Sequence, residues 1–107
     1  MKQHEPGSKL DAGKNRLGLV LGGFARALEA VSEVGTLGAN KYSDNGWKEV
    51  SNGSDRYTDA MLRHLMKEFK GELTDKELTE MKGDKVLHAS CVAWNALARL
   101  SLILNER

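Results

Sequence analysis

The chain has 107 residues, 29% of them charged, and a formal net charge of +1. That length fits one small domain with a modest core, and the near-neutral charge speaks against nucleic acid as the main partner. No apolar run reaches the roughly 18 residues of a membrane span, the polar start does not read as a signal peptide, and the single cysteine, Cys91, cannot close an internal disulfide, so a soluble protein in a reducing, cytoplasmic setting with no membrane partner is expected.

Residues 1–9 are polar, with Pro6 and Gly7, and read as a loose end. The next stretch, LDAGKNRLGLVLGGF, is punctuated by Gly13, Gly18, Gly22 and Gly23, which predicts a loop or turn carrying Lys14 and Arg16. From Phe24 an apolar period of three and four sets in at Phe24, Ala27, Leu28, Val31 and Val34, predicting an amphipathic helix that loosens at Gly35 and Gly38. GANKYSDNGWKEVSNGSD then reads as a long polar loop with two Asn-Gly turn signals. Tyr42 and Trp47 are unusual in so polar a loop, and long loops in small domains tend to be functional.

A second helix is predicted from Arg56, with Ser54 or Asp55 as N-cap, Tyr57, Met61, Leu65 and Phe69 as its buried stripe, and Gly71 as its stop. In the charged stretch 72–83, Thr74 and Glu77 have the spacing of a capping box. The last segment, 84–105, is apolar nearly all round, so it belongs inside a bundle. One line of polar residues nevertheless runs down it: His88, Cys91, Asn95 and Arg99, spaced to share one side of a helix. Buried polar groups are costly unless bonded, so this stripe meets polar partners or a ligand. Nothing alternates as a strand does. The expectation is a single all-α domain over 1–107, a small helical bundle completed by a second copy.

No P-loop pattern and no GxSxG turn is present, and Cys91 among apolar neighbours is a poor nucleophile. The pairs Glu72/Asp75 and His88/Cys91, each three apart, could converge on a divalent cation. They could equally be a surface acidic pair and a core histidine. Glu29 and Glu33 are either ligands or solvated charges. Lys14, Arg16, Lys41, Arg56 and Arg63 are candidate phosphate contacts, or ordinary surface charges. Trp47 or Tyr42 could stack on a base or anchor the loop. Asn95 could read a base edge or bridge two helices.

The blocks KLDAGKNRLGLVLGGFARALEAV (9–31), GANKYSDNGW (38–47), RYTDAMLRHLMKEFKGE (56–72) and LHASCVAWNALARL (87–100) resemble the dATP/dGTP diphosphohydrolases found mostly in bacteriophage genomes. That family is similar to the all-α, MazG-like nucleoside triphosphate pyrophosphatases. The resemblance implies an oligomeric bundle, a dimer or tetramer. It implies Mg2+- or Mn2+-dependent cleavage of purine (deoxy)nucleoside di- or triphosphates to monophosphates. By analogy with paired ExxE and ExxD carboxylates, it assigns the metal to Glu72, Asp75 and His88, with Glu72 also catalytic and His64 as a candidate base. It assigns the nucleotide to Lys14, Arg16, Lys41, Tyr42, Asn45, Trp47, Arg56, Arg63 and Asn95. In that family the position of Cys91 is usually histidine. The thiol is a poor ligand for Mg2+, which leaves a second expectation open: a non-catalytic protein that sequesters a nucleotide in the same pocket.

Overall fold

The computed structural model describes residues 5–106; the loose end expected over 1–9 lies outside them as far as residue 4. The described residues form five α-helices: α1 (Leu17–Gly23), α2 (Ala25–Lys41), α3 (Gly53–Phe69), α4 (Lys76–Lys82) and α5 (His88–Asn105), with a 3-10 turn at Gly46–Glu49. The all-α expectation holds. Among these residues the sole β-type pairing is one antiparallel bridge between Thr74 and Leu87. Helix α5 packs most extensively along α3, and α2 packs on α5.

Local chemistry explains where the helices start and stop. Asn45 and Asn52 both take the left-handed conformation, each at φ 57°, which asparagine tolerates better than most residues. Each is followed by a glycine that opens the 3-10 turn or α3. Helix α3 therefore begins at Gly53 with Asn52 at its cap, rather than at Ser54 or Asp55. Its other end is a Schellman motif: Gly71 at φ 93° donates to Glu68 O at 2.9 Å, and Glu72 N donates to Lys67 O at 3.0 Å. Helix α4 is capped by Asp75, whose Oδ2 accepts from Leu78 N at 2.8 Å, and not by Thr74.

Two expectations about the first half are corrected. Residues 17–23 are helical where a turn was expected, but α1 buries none of its residues. Helix α2 also runs on through Gly35 and Gly38 to Lys41. The reason at Gly35 is close approach: a Cβ there would lie 3.0 Å from Trp94 Nε1. Glycine is what lets α2 lie against α5, so tertiary packing overrides its low helix propensity.

The core is small. Val34, Val86 and Cys91 form it, with Leu37, Leu78 and Trp94 packed against them. Within α5 the polar stripe is buried as expected, but the helix is not buried all round. The polar stripe is the buried side: His88 and Cys91 are 1% exposed and Asn95 6%. Leu97, Leu100 and Leu104 are about half exposed. On α3, Tyr57, Met61 and Leu65 are partly buried, whereas Phe69 is exposed.

Candidate active site

The site begins with a backbone clasp. Asp75 N donates to Val86 O at 2.8 Å and His88 N donates to Leu73 O at 2.9 Å, either side of the Thr74–Leu87 bridge. Val86 N is held in turn by Thr79 Oγ1 at 3.1 Å. The clasp fixes the cap of α4 against the first turn of α5. Packing of α3 along α5 then brings His64 to the same point.

The result is a cluster of His64, Asp75 and His88, whose donor atoms all lie within 4.8 Å of one another. The two Nδ1 atoms are 2.8 Å apart and share one hydrogen bond. Asp75 Oδ1 is 3.9 Å from His64 Nδ1 and 4.0 Å from His88 Nδ1. Those separations are too long for hydrogen bonds. Because Oδ2 is committed to the helix cap, Oδ1 remains to face the imidazoles. His88 Nε2 is buried with no partner among the described residues. Burial pushes the His64 imidazole below its usual pKa, more than the Asp75 carboxylate raises it, so it is held neutral at pH 7. Cys91 is pushed up to about 12, first by burial and then by Asp75. Its thiol is therefore protonated and unreactive.

Above the cluster opens a cleft of about 1520 Å³. Most of the residues singled out in the sequence line it: Lys41, Tyr42, Asn45, Trp47, Arg56, Arg63, His64, Asp75 and Asn95. His88 lies behind them, fully buried. Cations gather on one wall, where Arg56, Arg63 and Lys67 stand on one face of α3. Arg63 and Lys67 have no ion-pair partner among the described residues. Lys41, by contrast, is paired with Glu77.

The aromatic residues divide. Trp47 packs edge-to-face with Trp94 at 5.8 Å and with Tyr57 at 6.5 Å, and its carbonyl accepts from Tyr57 Oη at 3.0 Å. It anchors the turn. Tyr42 is 77% exposed, with Lys41 Nζ 5.1 Å over its ring. Asn95 donates to Cys91 O at 2.8 Å, a bond within its own helix, while reaching the cleft. Arg99, the last residue of the stripe, donates to Thr58 Oγ1 at 2.7 Å and stitches α5 to α3.

Three expected site residues are not brought to the cleft. Lys14 and Arg16 are exposed and precede α1. Glu72 is exposed, because the left-handed turn at Gly71 sends it outward, and it is not part of the donor cluster. Glu33 binds Lys82 at 2.7 Å. Tyr57, Lys67 and Trp94 line the cleft although the sequence reading gave them no role there. For Lys67 the signal was its spacing of four from Arg63 on α3.

Arg56, Arg63 and Lys67 thus line the same cleft as His64 and Asp75. The chain belongs to the family described as dATP/dGTP diphosphohydrolase, N-terminal. The match runs over residues 4–107. No curated protein and no solved structure matches the chain.

Proposed function

We propose that this protein hydrolyses a phosphoanhydride bond of purine deoxynucleoside di- or triphosphates, releasing the monophosphate. The observation that carries this reading is the stacking of two features in one cleft. Arg56, Arg63 and Lys67 line one wall of it, and the His64–Asp75–His88 cluster lies at its base. The guanidinium groups stabilise charge on the leaving phosphate, each able to hold two oxygens at once. Tyr42 offers an exposed ring for the purine, and Asn95 a buried amide lining the same cleft. His64 enters as a neutral imidazole, able to ligate a cation or accept a proton. Glu72 has no part in this assignment, and neither do Lys14 and Arg16 of the same chain.

The cofactor in this reading is a divalent cation. The donor set fits a cation: two imidazoles and a carboxylate converge, and Asp75 Oδ1 makes no hydrogen bond to either ring. Bound there, it would neutralise phosphate charge and acidify a water.

The working form in this proposal is a homo-oligomer. A compact monomer of 11.8 kDa exposes about 5,900 Å², whereas this chain exposes 8275 Å². Its radius of gyration is 18.0 Å against about 13 Å for a compact domain of this length. The surplus surface is of the order buried in obligate dimers. It includes the leucine side of α5 and the whole of α1.

Incubation with dGTP or dATP and Mg2+ or Mn2+, with products resolved by ion-pair chromatography, tests the reading. Appearance of dGMP or dAMP is expected. Nucleotide that stays intact and co-purifies with the protein would overturn the hydrolase and indicate a sequestering protein instead.

A further inference from the structure

We infer that His64, Asp75 and His88 form a three-ligand site for a borderline transition-metal dication of the Mn2+-to-Zn2+ series, and that this site discriminates against Mg2+. His64 is then a ligand through Nδ1 rather than the base, and the set excludes Glu72.

The first support is the way the three groups are held. They come from α3, the cap of α4 and the first turn of α5. The backbone bonds Asp75 N to Val86 O and His88 N to Leu73 O fix two of them, so their convergence does not depend on the side chains bonding one another. Each side chain also has little freedom. Exposure of the side chains is 22% for His64, 13% for Asp75 and 1% for His88. Asp75 is tethered through Oδ2, which aims Oδ1.

The second support is the set of separations. A hydrogen-bonded His–Asp–His network closes to contacts of about 2.7–3.2 Å. Only the edge between the two imidazoles, at 2.8 Å, does so here. The edges to Asp75 Oδ1, at 3.9 and 4.0 Å, are left open. Ligands bound at about 2.1 Å to a common cation stand roughly 3.0–3.4 Å apart at neighbouring positions. Small opposite adjustments of the three edges reach that range.

The third support is donor chemistry. Mg2+ takes oxygen ligands and yields its waters reluctantly, whereas imidazole suits Mn2+, Co2+ and Zn2+. Two of the three donors are nitrogen. His64 and Asp75 also line the cleft while His88 lies behind them, so the remaining coordination positions open toward the ligand space. Three protein ligands with open positions are the pattern of a reactive centre, not of a closed structural site. The Cys91 thiol, one turn beyond His88, is outside the converging atoms.

The test uses the full chain without nucleotide. Protein stripped with a chelator is titrated separately with MnCl2, CoCl2, ZnCl2 and MgCl2. Binding is read by calorimetry, by metal content after gel filtration, and by the visible absorption of Co2+. One cation per chain is expected, with Mg2+ weaker by about tenfold or more. Asp75→Asn keeps a capping oxygen, and His64→Gln alters a partly exposed position. Each is expected to weaken Co2+ and Zn2+ binding by about tenfold or more while far-ultraviolet circular dichroism stays that of the parent. Absence of stoichiometric binding, equal affinity for Mg2+, or variants that bind like the parent would each overturn the assignment. The outcome is separate from that of the hydrolase reading: binding without turnover keeps the metal site and removes the reaction, and turnover by protein that binds metal elsewhere does the reverse.

Discussion

The two sides of α5 behave in opposite ways, and the contrast explains much of the molecule. One side is polar and buried, with His88, Cys91 and Asn95 nearly inaccessible. The other is leucine-rich, with Leu97, Leu100 and Leu104 about half exposed. Hydrophobic burial alone would turn the helix the other way. On the polar side most groups find partners among the described residues, His88 Nε2 being the exception. His88 meets His64, Asn95 bonds Cys91 O, and Arg99 bonds Thr58. The leucine side has no such partner among the described residues, and our proposal gives it a second copy. On this proposal the inner side builds a site and the outer side an interface.

Disrupting the inner side should cost the most. Trp94 packs against Trp47, Tyr57 and the bare Cα of Gly35. Trp94→Ala should destabilise the fold by about 3 kcal/mol, a large share of the stability of a small domain. Urea unfolding followed by circular dichroism reads this. A loss near zero would mean that the aromatic seam does not hold α2 and α5 together.

The outer side should respond differently. Leu97→Asp with Leu100→Asp places charges where the single chain already meets water, so helix content should be unchanged. Light scattering after gel filtration should show the mass fall from an oligomer to a monomer. A monomeric parent, or a double variant that remains oligomeric, would break the comparison.

A smaller effect probes the seam without disturbing it. With its pKa near 12, Cys91 carries about one thiolate in ten thousand at pH 8. Burial adds a steric barrier. A thiol reagent should therefore react slowly with the folded chain and at once in denaturant, and the folded rate should rise with pH until unfolding intervenes. Rapid labelling of the folded protein would mean that the seam is open.

The smallest effects belong to the periphery. Lys82→Ala removes the pair with Glu33, a surface ion pair that contributes little, and the thermal midpoint should not move. Glu72→Gln should leave turnover unchanged, although the family resemblance assigns Glu72 to the metal. A large loss of turnover in that variant would return Glu72 to the site.

How much of this was legible in the sequence follows from what spacing can encode. Residues on one helix reveal a shared face, so the stripe on α5, the helical period of α3 and the stop at Gly71 could be read. The two Asn-Gly pairs marked both left-handed turns. Helix α1 was hidden by its glycines. The extension of α2 past Gly35 was hidden because its reason is Trp94, far along the chain. The donor cluster was legible only in pieces. Asp75 and His88 stood out, yet their pairing with His64 depends on the Thr74–Leu87 bridge, which no local period announces. Glu72 and Asp75 looked equivalent at a spacing of three. The Schellman turn turns one outward and the helix cap turns the other inward.

The account rests most directly on Asp75, which caps α4 through one oxygen and faces the imidazoles with the other. Asp75→Asn preserves the cap and removes the charge, and Asp75→Ala removes both. Turnover of dGTP in Mn2+, measured alongside the thermal midpoint, separates the roles. The account predicts that both variants lose at least about a hundredfold in rate, while only Asp75→Ala also loses about 1 kcal/mol of stability. Full activity in Asp75→Asn would contradict it.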